Sequence, residues 1–170
     1  MRWLACVLAL IASETAALSC IRPTIADSFA RAEEVPEDIY LLKGTLTFDE
    51  RLLPETDMLN DGWTPSPIAA QFRGLALNSE GFTTRYERAV ALQPLCVGPW
   101  CGGAVSGEVA IMFAKVVGPD LVIEAPACGG GIFYNVTPLM EQQAIDCING
   151  DCFASDPVVI CYEDGACVAE

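Results

Sequence analysis

The chain contains no histidine. That absence removes every Ser-His-Asp or Cys-His nucleophile arrangement and every histidine-containing zinc site. Basic residues are scarce as well: 9 Lys and Arg stand against 23 Asp and Glu, for a net charge of −14. Phosphate backbones are bound by releasing counterions from clustered cations. No such cluster occurs here, so nucleic acid and anionic lipid surfaces are poor partners, and acidity serves the solubility of the domain. No C-x-x-C occurs, which argues against a thioredoxin-like redox role. No apolar run approaches the roughly 20 residues that a membrane-spanning helix needs.

What is present begins with a targeting pattern. Arg2 supplies a positive start, Trp3 to Ala12 are apolar or small, and Ser13 to Ser19 are small and more polar. Residues 1–19 therefore read as a cleaved signal peptide, which makes the chain secreted or periplasmic. Small residues fit cleavage after Ala17 or after Ser19, and the second cut would make Cys20 the new N-terminus. A lipid anchor on Cys20 is disfavoured, because a lipobox places Leu three residues before the cysteine and Ala17 stands there.

Of nine cysteines, Cys6 leaves with the signal, so the exported chain keeps eight. An even count in an exported chain reads as a disulfide framework. Eight cysteines allow 105 connectivities. Joining the three close pairs locally gives Cys96–Cys101, Cys147–Cys152 and Cys161–Cys167. That leaves Cys20 with Cys128, a long-range tie between the N-terminus and the last core strand.

Thr24 and Asp27 make a capping-box pattern at the start of a short helix, with Ile25, Phe29 and Ala32 on one face and an end near Val35-Pro36. Five strands are expected: Ile39 to Asp49, Ile68 to Leu77, Thr83 to Leu95, Gly107 to Val117 and Leu121 to Ala125. Gly44 inside the first suggests a bend or bulge. The fourth is almost continuously apolar, as a central buried strand would be. Thr137-Pro138 opens a second helix running to Asn149-Gly150. The expected fold is mainly β: a small OB-fold-like five-stranded barrel with an N-terminal and a C-terminal helix, stapled by disulfides. Residues 20–152 form this domain, and residues 153–170 a C-terminal β-hairpin tail.

The order of cysteine, proline, a short helix with Ser28-Phe29-Ala30, strands, Cys101-Gly102, an apolar strand, another strand and Cys128 resembles the netrin-like family, which includes the tissue inhibitors of metalloproteinases. The resemblance rests on Cys20 to Ala32, Gly44, Cys101-Gly102, Gly107 to Phe113 and Leu121 to Cys128. It implies an OB-type barrel with the N-terminal segment crosslinked onto it. The animal inhibitors begin Cys-x-Cys and chelate the protease zinc through the first cysteine's amino group and carbonyl. This chain has Cys20-Ile21-Arg22, and alignment on Pro23 matches Cys20 to the second cysteine. Inhibition by chelation then requires cleavage at Ser19–Cys20.

The remaining chemistry is sparse. Trp100 reads either as a binding-surface aromatic or as a ring packed on Cys96–Cys101, and the second is the expectation. Gly129-Gly130-Gly131 lacks the G-K-[ST] of a phosphate loop, so flexibility or close packing explains it. Glu124, Glu141 and Asp146 have no spacing that pairs them for glycoside chemistry and read as solvated. Asp57, Asn60 and Asp61 do not match a calcium loop. Asn135-Val136-Thr137 matches a glycosylation acceptor, whereas in a bacterial host Thr137 is simply a cap. No catalytic residue, cofactor or metal is expected. The functional expectation is a non-enzymatic protein-binding or inhibitor-like module acting on an extracytoplasmic protein, with Cys20 and Trp100 as surface candidates. The alternative is a structural or envelope-assembly protein without a discrete site.

Overall fold

The computed structural model describes residues 20–55, 64–152, 159–161 and 167–169. The expected signal and the loop residues Asp57, Asn60 and Asp61 lie outside the described residues.

Helix α1 (Ile25–Glu33) starts where the capping box places it. The Thr24 side chain accepts from the Asp27 amide, and the Asp27 side chain accepts from the Thr24 amide. Strand β1 (Ile39–Thr47) follows, then a 3-10 turn (Glu50–Leu52). Strands β2 (Ile68–Asn78) and β3 (Gly81–Pro94) form a hairpin around Asn78-Ser79-Glu80-Gly81, residues with turn chemistry. Its geometry comes from Gly81 at φ +112° and from the Glu80 amide donating to the Asn78 side chain. A two-residue ribbon, β4 (Cys96–Val97) and β5 (Trp100–Cys101), precedes β6 (Val109–Val117) and β7 (Asp120–Ala125). Strand β8 (Ile132–Tyr134) leads to α2 (Pro138–Ile148), which has Thr137 as cap and Pro in its first turn. In the tail, β9 (Val159–Cys161) and β10 (Cys167–Ala169) pair antiparallel with Cys161 opposite Cys167. The bridge expected between those two side chains lies outside what is described.

The sheet closes on itself. Strands β1, β2 and β3 form an antiparallel meander, β3 runs parallel to β7, β7 pairs with β6, and β6 returns to β1. This ring of five strands is the OB-like arrangement expected from the sequence. One edge of β6 is taken by β1. The other is shared, with β7 along Ala114–Val117 and β8 along Ala110–Met112.

Alternation along the strands separates two apolar layers. Leu42, Phe72, Leu92, Met112 and Ile123 face into the barrel, one from each strand of the ring. Leu41 and Ile111, one residue out of phase, face outward and pack with Ile25, Phe82 and Ala144. Strand β6 is thus apolar from Val109 to Ala114 because both faces of its middle are covered, and its one charged residue, Lys115, falls near the end. Gly44 serves a close approach rather than a bulge. It lies opposite Gly74, and a β-carbon on either would strike the backbone of the other strand. The irregularity in register falls instead between Ala76 and Leu77.

Candidate functional site

Three of the expected disulfides are formed: Cys20–Cys128, Cys96–Cys101 and Cys147–Cys152. The first spans 108 positions and fixes the segment before α1 to the loop that follows β7. The glycines of that loop permit the fit. Gly130 has φ +92°, and a β-carbon there would crowd Pro23, Ser28 and Arg31. A β-carbon on Gly131 would collide with the Glu124 carbonyl. Of the two explanations for the triple glycine, close packing is the operative one: it forms the seat of α1.

Between this seat, β8 and the start of α2 lies a cleft of about 790 Å³. Both cysteines of the long bridge line it, together with Arg22 and Pro23 from the N-terminal segment. Ile132 and Phe133 of β8 and Leu139 and Met140 of α2 supply the apolar wall. Ile21 stands at the entry to this segment and is 87% exposed. The cleft volume falls in the range of about 300–1,000 Å³ occupied by small-molecule sites.

Tyr134, at the end of β8, accepts a 2.7 Å hydrogen bond from the Val105 amide through its hydroxyl. Burial raises its ionisation above the ordinary 10.0, and Glu108 and Glu50 push the same way while the Val105 amide opposes them. Asp27 behaves oppositely. Hydrogen bonds from the Thr24 amide and hydroxyl hold its carboxyl below the ordinary 3.8.

Trp100 sits on the β4–β5 ribbon across from Val97, and 42% of its surface is exposed. It does not line the cleft, so Cys20 and Trp100 do not share one cavity. The carboxylates of Glu124, Glu141 and Asp146 are held by separate partners. Glu124 contacts Lys115 at 2.6 Å and Glu141 contacts Lys43 at 2.7 Å, each only partly exposed. The Lys43 ammonium also lies over the Phe82 ring. Asp146 accepts from Gln142 at 2.8 Å. Glu124 and Glu141 are therefore ion-paired at the sheet surface rather than simply solvated. Among the described residues no three His, Cys, Asp or Glu side chains gather as a metal site.

The reading from sequence missed the cleft wall. Ile132-Phe133-Tyr134 is a short apolar run after three glycines, and that run was the signal available for β8. Comparison of the chain with family models, curated proteins and solved structures finds no match.

Proposed function

We propose that the chain is an exported, non-enzymatic binding module of netrin or metalloproteinase-inhibitor type, and that it grips another extracytoplasmic protein with the edge Cys20–Arg22. One observation carries this reading: an apolar side chain, Ile21, is held at 87% exposure on a segment crosslinked to the barrel. An exposed isoleucine on a preorganised edge loses little entropy on binding, which favours affinity. Three disulfides fit an oxidising compartment. The net charge of −14 points to a partner with a basic surface.

Mass spectrometry of the exported protein fixes the N-terminus first. A start at Cys20 with a free amine leaves zinc chelation available to the module; a start at Leu18, or a lipid on Cys20, removes it. Crosslinked co-purification from the extracytoplasmic fraction then compares the parent with Ile21→Asp and Trp100→Ala. The expected outcome is one partner retained by Trp100→Ala and lost by Ile21→Asp. Equal recovery by the parent and Ile21→Asp would overturn the assignment of the edge.

A further inference from the structure

The cleft behind that edge differs in charge from the rest of the molecule. The chain carries 23 acidic residues, yet the cleft wall contains no Asp or Glu. It contains one cation, Arg22. Elsewhere Lys43, Arg51, Arg73, Arg85 and Lys115 face carboxylates within 4 Å, while Arg88 donates to the Pro119 carbonyl and Arg31 lies beside Gly130. Arg22 has no such partner among the described residues. One side of the wall is apolar, with Leu139 half-exposed although it belongs to a folded helix; Thr24, Tyr134, Asn135 and Gln143 add neutral polar groups.

We infer that this cleft is a binding site for a small aliphatic monocarboxylate, its head group on Arg22 and its chain against Ile132, Phe133, Leu139 and Met140. A single guanidinium matches a single carboxylate in charge and in fork geometry. A second anionic charge would meet the field of an acidic protein with no further cation in the cleft wall itself. The apolar wall supplies the rest of the affinity, because an aliphatic chain leaves water on entering it. Site and edge share Arg22, but the cleft is argued from its own wall, and this assignment does not rest on the protein-binding reading above.

The test is isothermal titration calorimetry of the disulfide-intact exported protein with sodium dodecanoate below its micelle concentration. Dodecyl maltoside serves as a neutral probe with the same chain. Saturable binding of one dodecanoate is expected, weaker at high salt and stronger than binding of the maltoside. Arg22→Gln should weaken dodecanoate roughly tenfold or more, as loss of a charged hydrogen bond does, and leave the maltoside unchanged. Leu139→Glu should abolish dodecanoate binding by placing a carboxylate in the wall. Both positions are exposed, and an unchanged thermal midpoint shows that each variant is folded. Non-saturable uptake, equal binding of the two probes, or equal binding by the parent and Arg22→Gln would each overturn the site. Failure here leaves the Ile21→Asp experiment untouched, and the reverse also holds.

Discussion

Inside the barrel, Leu42, Phe72, Leu92, Met112 and Ile123 are enclosed by a ring of strands, each paired with the next, that closes through a short parallel contact of β3 with β7. Outside it, Ile25, Leu41, Phe82, Ile111 and Ala144 are covered by two helices. Those helices are attached by side-chain packing, by the Cys20–Cys128 bond and by the Lys43–Glu141 ion pair. Both layers are buried, but they are secured differently. The inner one is held by a cooperative ladder; the outer one needs point attachments. The long-range disulfide sits where the ladder cannot reach, and the cleft opens along that same attachment.

The largest expected effect separates the layers directly. Phe72 is fully buried inside the ring, and Phe72→Ala should cost about 3–5 kcal/mol in denaturant unfolding. Ile25→Ala in the outer layer should cost nearer the lower end of about 2–5 kcal/mol, because α1 can settle toward the sheet and shrink the cavity. Equal losses would mean that the two layers melt as one and that the distinction has no energetic content.

The next effect concerns the attachment. Replacing Cys20 and Cys128 together with Ser should remove about 2–4 kcal/mol, since the bridge closes a loop of over a hundred residues in the unfolded chain. Replacing Cys96 and Cys101 should remove less, because a five-residue separation restricts the unfolded chain far less. Amide exchange sharpens the comparison: α1 should lose protection in the first variant while β1, β2 and β3 keep theirs. Loss of protection throughout the barrel would show instead that α1 is part of the barrel's cooperative unit.

The two layers also differ in how much of them was legible from residues alone. Local signals were reliable. Thr24 and Asp27 marked one helix start, Thr137 and Pro138 the other, and the turn at Gly81 fell where its chemistry placed it. The apolar run in β6 announced a strand covered on both faces. The features that build the cleft were hidden because they depend on closure between distant segments. Gly44 gave no sign of facing Gly74, and Gly130 gave none of seating Pro23. Lys43 and Glu141 lie 98 positions apart, so no local pattern could pair them. Strand β8 is three residues long, too short to show a period.

The smallest effect tests the cap at the start of α1, where the outer layer begins. Thr24→Ala removes an N-cap side chain and should cost about 1 kcal/mol. Asp27→Asn keeps the size of the reciprocal partner but removes its charge. The folded Asp27 carboxyl is held below its ordinary value by hydrogen bonds from Thr24. Its contribution is therefore present above the ordinary 3.8 and lost as pH falls through the lowered folded value. The side chain is almost wholly exposed, so solvent screening keeps the contribution small. Thermal midpoints of the parent and Asp27→Asn should differ slightly at neutral pH and converge on acidification below 3.8. A gap that persists unchanged to strongly acidic pH would show that the ionised carboxylate does not support the cap. The attachment of α1 would then rest on the packing of Ile25 and Phe29 and on the disulfide.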